Sequence, residues 1–419
     1  MIQSLTAASS GSMAAPGAGF RIVTAPRSRA ARKAAEVTAW SISNWAMTAS
    51  TRVRSPAVAR WNEIAVGKST SASGWFKAVR NDAALQRPDL LTGRRPRTIN
   101  MSTIGDDLLR ESSPAFGPKV EAVIVYNSNP VAVAPESAKV ARGFARDDLF
   151  TVVLEHFMTD TADHADYVLP ATTQLEHLDV HTSYGHTYVM FNEPAIAPVG
   201  QAKPNTQIFR ELARAMGYTE PCFGDDDETL ARIAFKPELV DFDAFRAQGW
   251  FKLPIADAPL ADGGFPTASG RCTIDSTAFG VPDFVANYES AASTPELAAR
   301  YPLAMISPPA RNFLNSSFVN VKSLRDIEGE PLVEMHVLDA VARGVADGQM
   351  VRVFNDRGSY LCKAAVSRRA RPGVVNGLGV WWRKLGAGGT NVNELTHQRL
   401  TDIGRAPSFY DCLVDVCVA

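Results

Sequence analysis

The chain has 419 residues, of which 46% are hydrophobic, 9% aromatic and 21% charged, the composition of a soluble globular protein with material for more than one core. The formal net charge of −1 gives no basis for general attraction to nucleic acid or to an anionic membrane. The five cysteines form no CxxC pair, which excludes a zinc ribbon and a ferredoxin-type cluster run, and no apolar stretch of about 18 residues predicts a membrane span.

The charge is distributed unevenly along the chain. Residues 1–60 hold seven Arg and one Lys against the single acid Glu36, which gives this segment +7 and leaves −8 on the rest. Three interpretations stay open for this basic, poorly patterned segment, which we extend to residue 95: a disordered arm, a targeting peptide, and sequence that is not native coding sequence in this frame. No compact apolar region follows Met1, so we predict no secretory signal and expect a cytoplasmic protein.

A parallel-sheet unit is predicted over residues 96–240. Residues 121–126 (EAVIVY) and 149–154 (LFTVVL) are continuous apolar runs, typical of strands buried on both faces. A helix over residues 135–142 between them completes a βαβ unit with parallel strands. Residues 167–169 predict a third, short strand.

A helix and a connection are predicted next. Residues 205–216 place apolar side chains on one face, with Asn205 or Thr206 as the N-cap and Gly217 at the C′ position. Residues 241–298 are rich in Pro, Gly, Ala and Asp and show little periodicity, so we predict a long connection between two domains.

Short strands and tight turns predict a small β-barrel over residues 299–419. Residues 350–354 and 360–366 flank a turn at residues 355–358, which is the pattern of a hairpin, and residues 412–418 predict the last strand. The predicted fold class is therefore α/β, a parallel-sheet domain followed by a β-barrel.

Polar residues follow each of the first two predicted strands. Residues 127–130 (NSNP) and 159–161 (TDT) lie at the edge where open α/β sheets bind ligands, and they offer hydrogen bonds to a phosphate, a ribose or a base. A turn or a helix cap uses the same residue types, so each motif alone leaves that alternative open. No GxGxxG follows the first strand, which argues against an NAD enzyme.

Two further motifs lie in the predicted barrel. Residues 311–317 (RNFLNSS) follow an apolar strand, and Arg311 suits bidentate pairing with a phosphate. Residues 386–395 (GAGGTNVNEL) are Gly-rich, which permits close backbone approach to a ligand, but lack the lysine of a P-loop. An ordinary polar loop and a flexible hairpin are the alternatives.

Glu176, His177, His181 and His186 lie close together in sequence. Their spacing is not HExxH and the intervening residues do not predict a stable helix, so we expect polar loop residues lining a cofactor cleft rather than a metal site.

In their order along the chain, these motifs resemble the C-terminal half of molybdopterin-dependent oxidoreductases of the dimethyl sulfoxide reductase/formate dehydrogenase superfamily. The family signature of T-x-T-A followed by A-D-x-V-L-P-A is present after the second strand. The resemblance runs from about Pro96 to Val418, in blocks at residues 123–136, 148–177, 336–358 and 371–416.

The resemblance implies that the α/β domain and a double-psi-type β-barrel together grip molybdopterin guanine dinucleotide, in the bis form and with molybdenum in the complete enzyme. It implies no catalytic residue and no metal ligand for this chain. The residues that it implies for cofactor binding are Asn127, Ser128, Asn129, Pro130, Thr159, Asp160, Thr161, Pro308, Arg311, Asn312, Asn315, Ser316, Asn391, Asn393 and Phe409.

The chain departs from the family pattern ahead of this region. That pattern includes a four-cysteine iron–sulfur motif and the domain with the molybdenum ligand, whereas the first cysteine here is Cys222. We therefore expect no iron–sulfur cluster in this chain. Three functions stay open: the cofactor-binding half of an enzyme with a separate N-terminal catalytic chain, a non-catalytic carrier of the pterin cofactor, and an inactive fragment.

Overall fold

The computed structural model describes residues 41–42, 76–91, 93, 97–182, 186–256, 260–273, 283–402 and 404–419. Most of the N-terminal segment up to residue 95 lies outside these residues, but its described parts include a strand at Ser41–Ile42, a helix at Asp82–Gln86 and the fully buried Val79, so these parts are structured. Among the residues described, no helix has the length and apolar character needed to cross a lipid bilayer.

A four-stranded parallel sheet organises the first unit. Its central strands pair Ala122 with Phe150 and Tyr126 with Leu154, and the fully buried Val125 packs into the core that the helices cover. This arrangement confirms the predicted βαβ unit and the third short strand. In spatial order the strands are β1 (Ser41–Ile42), β2 (Ala122–Tyr126), β3 (Phe150–Glu155) and β4 (Tyr167–Pro170).

The helices of the α/β unit are short. α2 and α4 approach closely at Gly143, where the missing side chain leaves room for Leu108. The helices are α1 (Asp82–Gln86), α2 (Ile104–Leu109), α3 (Pro130–Val133), α4 (Ser137–Phe144), α5 (Asn205–Ala215), α6 (Asp227–Ile233) and α7 (Phe242–Gln248).

Gly143→Ala is expected to lower the free energy of unfolding. The added Cβ would lie 2.8 Å from Leu108 Cβ, and such overpacking costs about 3 kcal/mol, more than the roughly 1 kcal/mol that alanine gains over glycine in a helix. Urea denaturation measures the difference. Gly224→Ala is the control, because its Cβ would meet nothing within 4 Å. Equal midpoints for the two variants would contradict the close α2–α4 packing.

The predicted helix over residues 205–216 is present as α5, with one difference at its start. Gly217 has the left-handed φ of 80° expected at C′. The N-cap, however, is Pro204 rather than Asn205 or Thr206. Asn205 instead donates its side-chain N–H to Asn127 Oδ1 at 3.0 Å, which commits its amide to the edge of the sheet.

A second core is built from phenylalanines. Phe235 contacts Phe242, Phe245 and Phe251 with ring centroids 5.4–6.4 Å apart. Both α7 and the last strand of a small antiparallel sheet contribute to this core, although they fall at the start of the predicted 241–298 connection. The strands of the sheet are β5 (Asp179–Thr182), β6 (Tyr188–Asn192) and β7 (Trp250–Lys252).

Six strands close into a barrel in the second unit, in the order β10-β11-β9-β12-β8-β13. The pairs β11–β9 and β12–β8 are parallel and the other four are antiparallel. Met305, Met335 and Val353 are fully buried inside. The architecture confirms the predicted fold class, an α/β unit followed by a closed β-barrel. The elements are α8 (Pro295–Arg300), β8 (Leu303–Ile306), α9 (Lys322–Glu328), β9 (Leu332–His336), α10 (Val337–Arg343), β10 (Met350–Asn355), β11 (Gly358–Ser367), β12 (Val374–Gly377) and β13 (Cys412–Val418).

Candidate functional site

A cleft of about 350 Å³ lies between the carboxyl edge of the parallel sheet and loops of the barrel unit. Asn127 follows β2 directly, and its φ of 50° turns the chain away from the sheet. Ser307 follows β8 in the same way on the barrel side. The lining residues are Asn127, Ser128, Asn129, Val133, Ser307, Pro309, Leu314, Asn315, Ser316, Ser317, Val380, Asn393, Phe409 and Tyr410.

The structure brings together residues from motifs that lie up to 282 positions apart in sequence. Seven of the residues singled out from the sequence line this one cleft. They are Asn127, Ser128, Asn129, Asn315, Ser316, Asn393 and Phe409.

Asn129 lies in the cleft wall and has a buried side-chain donor without a hydrogen-bond partner. Its side chain is 3% exposed. Its Oδ1 accepts from the backbone N–H of Thr161 at 3.1 Å and from Thr161 Oγ1 at 2.8 Å, which fixes the orientation of the amide. Its Nδ2 is buried without a hydrogen-bond partner. Buried donors in native proteins are nearly always paired, so this one is an indication of a bound acceptor.

Thr161 holds Asn129 from outside the cleft lining. Its Oγ1 also accepts from the backbone N–H of Val131 at 3.1 Å, in the first turn of α3. One hydroxyl therefore fixes both the Asn129 amide and the helix that follows it. Pro130 is the buried first residue of that helix.

Asp160 joins the two units. Its carboxylate accepts from the backbone N–H groups of Arg383 at 2.7 Å and Lys384 at 3.2 Å. Burial raises the pKa of Asp160, against the opposing effect of these two hydrogen bonds. Thr159 caps the turn that follows, with its Oγ1 accepting from Ala162 N at 3.2 Å. In the structure these two predicted ligand residues lie outside the cleft lining and bind backbone groups.

Asn391 and Asn393 fasten the barrel to the end of α3. Asn391 donates to the carbonyls of Ala132 and Trp381, both at 3.0 Å. Asn393 donates to the carbonyls of Ala132 at 3.1 Å and Val133 at 3.2 Å. The last-turn carbonyls of a helix lack intrahelical partners, and these amides satisfy two of them. Asn393 lines the cleft and Asn391 lies behind it.

The loop at residues 314–317 forms a rigid part of the wall. Leu314 and Ser317 exchange backbone hydrogen bonds of 3.2 and 2.9 Å, and Asn315 adopts a left-handed φ of 51° between them. The carbonyl of Ser316 accepts from Trp382 Nε1 at 2.8 Å. The polar side chains of this loop are therefore held at the cleft by backbone contacts.

The preceding loop places its predicted residues outside the lining. Asn312 donates its backbone and side-chain N–H groups to Glu328 Oε1, at 2.5 and 2.7 Å. The Pro308 carbonyl accepts from Gly379 N at 2.9 Å. Arg311 is exposed and has no ion pair among the described residues.

Seven lining residues were not predicted individually, although Leu314 and Ser317 lie within the predicted motif at residues 311–317. Ser307 carried a usable signal, since it follows an apolar strand just as Asn127 does, and Tyr410 is adjacent to Phe409. Val133 and Val380 carried none, because an apolar side chain alone does not distinguish a ligand-binding residue from a core residue. The seven are Val133, Ser307, Pro309, Leu314, Ser317, Val380 and Tyr410.

Glu176 and His177 form hydrogen bonds with other groups of the protein. The Glu176 carboxylate accepts from Thr173 N and Oγ1 and from Val199 N at 2.7–2.8 Å, and these hydrogen bonds lower its pKa. His177 Nδ1 lies 2.8 Å from Thr172 Oγ1. Neither Glu176 nor His177 lines the cleft.

Comparison with protein-family models matches most of the chain. Residues 7–215 match the family described as molybdopterin oxidoreductase, and residues 303–413 match the molydopterin dinucleotide binding domain. The first match begins well ahead of Pro96. The second covers the barrel with its cleft-lining loops.

Individual relatives and a solved structure agree with these matches. The chain is 38% identical over 344 residues to the probable oxidoreductase YoaE of Bacillus subtilis, covering 80% of this chain and 49% of YoaE. It is 30% identical over 310 residues to the dimethyl sulfoxide reductase DmsA of Escherichia coli, covering 63% of this chain and 37% of DmsA. Acetylene hydratase from Pelobacter acetylenicus shares the fold, with a TM-score of 0.64 and 22% identity over 77% of this chain and 47% of that one. The chain thus spans half or less of the length of these proteins.

Proposed function

Because this chain belongs to the molybdopterin oxidoreductase family, we propose that its cleft binds molybdopterin guanine dinucleotide. In this proposal the chain is the cofactor-binding part of a molybdenum-dependent oxidoreductase. The observation that carries it is the buried, unpartnered Nδ2 of Asn129 in a cleft formed by both family-matched regions.

The chemistry of the cleft fits the cofactor. Its volume of about 350 Å³ lies in the range of small-molecule sites. Its described lining is uncharged, with amides and hydroxyls that suit the hydrogen-bonding edge of a guanine or a pterin. Phe409 and Tyr410 supply aromatic surface for the ring faces. The lining thus favours a flat, neutral heterocycle over a bare phosphate.

We assign the roles of this chain's own residues accordingly. Asn129 donates to the heterocycle, and Thr161 holds the amide in that orientation. Arg311 lies between the lining residues Pro309 and Leu314 in sequence and is free to meet phosphate oxygens. The apolar side chains of Leu314 and Val380 exclude water. When bound, the cofactor supplies two-electron redox chemistry at its metal.

Turnover is proposed to need polypeptide outside this sequence. The chain spans about half of YoaE, and the described residues hold no group of three or more metal-ligating side chains. We therefore place the metal ligand and the iron–sulfur centre in polypeptide outside the described residues, either in a further segment of the same protein or in a partner chain. A cytoplasmic location is proposed with it, because all five cysteines are free thiols, as a reducing compartment maintains them.

Purification from a host that makes molybdenum cofactor tests the proposal. Bound pterin is detected after acid oxidation by its fluorescence, and guanine nucleotide released from the same sample is identified by chromatography. We expect both to copurify with monodisperse protein through gel filtration. Monodisperse protein that carries neither compound would overturn the proposal.

A further inference from the structure

Two stretches of the barrel unit meet at the cleft wall. Asn393 lies in one, and Phe409 with Tyr410 lies in the other. Between them the chain makes an excursion that closes on itself, with Leu400 and Pro407 in an isolated antiparallel bridge. Phe409 and Tyr410 form what we call the aromatic wall of the cleft. The position of this aromatic wall relative to Asn393 therefore depends on contacts at the base of the excursion.

A buried histidine–aspartate contact lies at that base. His397 is 3% exposed and Asp411 is 8% exposed, and His397 Nε2 lies 3.1 Å from Asp411 Oδ1, within ion-pair distance but without the geometry of a hydrogen bond. His397 comes four residues after Asn393, and Asp411 comes directly after Tyr410. The contact thus joins the two stretches immediately behind the residues that line the cleft.

The surroundings of His397 fix its ring. Tyr288 packs edge-on against it, with centroids 5.8 Å apart and planes at 83°, and its hydroxyl donates to the carbonyl of Leu400 at 2.8 Å. Burial acts to raise the pKa of Asp411, but His397 and Ser408 outweigh it and hold that pKa below its ordinary value.

Ser307 also contacts the aromatic residues from the barrel side. Ser307 Oγ donates to the carbonyl of Phe409 at 2.9 Å. That bond fixes the backbone of Phe409 from the side of β8, whereas His397 acts on the residue after Tyr410.

We propose that His397 is a positioning residue, which sets the Phe409–Tyr410 wall of the cleft through Asp411. The proposal deepens the function proposed above and rests on it only for the identity of the ligand. His397 touches no ligand itself. It determines where the aromatic surface lies before any ligand arrives.

Three variants separate positioning from general stability. His397→Phe keeps the aromatic shape and removes the ring nitrogen close to Asp411, Asp411→Asn keeps the size and loses the charge, and His397→Gln keeps a polar nitrogen at this position. His336→Phe is the control, because His336 is a barrel histidine whose ring accepts from the backbone N–H of Leu338 at 3.1 Å and does not line the cleft.

Amide hydrogen exchange on the ligand-free chain is the first measurement. We expect residues 408–411 to exchange at least about tenfold faster in His397→Phe, less so in Asp411→Asn, and within about twofold of the parent protein in His397→Gln and His336→Phe. If His397→Phe does not fold, the proposal is tested by the other two variants, and residues 408–411 should then exchange faster in Asp411→Asn than in His397→Gln. Unchanged exchange at residues 408–411 in both His397→Phe and Asp411→Asn, with folding intact, would overturn the proposal.

Copurifying pterin is the second measurement. We expect His397→Phe to retain about tenfold less pterin and His397→Gln to restore it, at similar melting temperatures. Parent protein without pterin would refute the proposed function and leave the exchange result standing. Full pterin retention in a His397→Phe chain with fast local exchange would overturn the link between His397 and binding.

Discussion

Replacing Glu289 with alanine is expected to lower the free energy of unfolding by about 3–5 kcal/mol. Glu289 is 6% exposed and meets Arg357 through two hydrogen bonds of 2.5 and 2.9 Å. It also accepts from the backbone N–H of Leu413 at 3.1 Å. Its removal leaves a guanidinium and a backbone donor in a water-poor site, and a buried charge without its partner is costly.

A second arginine–carboxylate pair in the same unit serves as the matched control. Arg300 and Asp356 also form two hydrogen bonds, of 2.7 and 2.5 Å, but their side chains are 57% and 53% exposed. Because solvent screens such a pair, Asp356→Ala should cost less than about 1 kcal/mol. Denaturant titration of both variants gives the comparison. Equal losses in the free energy of unfolding would show that burial of the Glu289–Arg357 pair does not add to stability.

Asn129→Asp is expected to lower pterin retention by about 10- to 100-fold, equivalent to about 1.4–2.8 kcal/mol. The change keeps Oδ1, which accepts from Thr161, and converts the unpartnered Nδ2 donor into an acceptor. The contact with the protein survives while the contact offered to the ligand is reversed. Fluorescence of oxidised pterin per mole of protein measures the effect.

Asn287→Asp is the control for Asn129→Asp. It makes the same chemical change at an exposed position that lies outside the cleft. We expect its pterin content to equal that of the parent chain. An Asn129→Asp protein that melts normally and carries full pterin would show that the free donor does not face the ligand.

The elements that the sequence predicted correctly are those with a strong local pattern. The apolar runs at residues 121–126 and 149–154 became β2 and β3, because a strand buried in a parallel sheet needs little except apolar residues. The hairpin at residues 350–366 followed from its turn. The phenylalanine core was not foreseen, since Phe242, Phe245 and Phe251 lie in a stretch whose Pro and Gly content indicates a connection.

The site was predictable as a set of motifs and less so residue by residue. Asn129 and Asn393 do line the cleft, whereas the carboxylate of Asp160 binds backbone groups of Arg383 and Lys384. A carboxylate after a strand has the same local pattern whether it binds a ligand or backbone N–H groups. The deciding partners lie more than 220 residues further along the chain, so only the folded structure distinguishes the two.

Side-chain hydrogen bonds join the α/β unit to the barrel unit beside the cleft. Asp160, Asn391 and Asn393 fasten the barrel to the α/β unit, and the cleft lies at that junction. Because both walls are tied to the same short helix α3, the spacing across the cleft is fixed before a ligand binds. Preorganised walls reduce the entropy lost on binding and so favour tight retention of a cofactor.

A crystal structure of the chain purified with its pterin is the most direct test of the central claim, that this cleft is the cofactor site. We expect electron density for a fused heterocycle in the cleft, with an acceptor atom within hydrogen-bond distance of Asn129 Nδ2. Density for the pterin at any other place on the chain, with only water against Asn129, would contradict it.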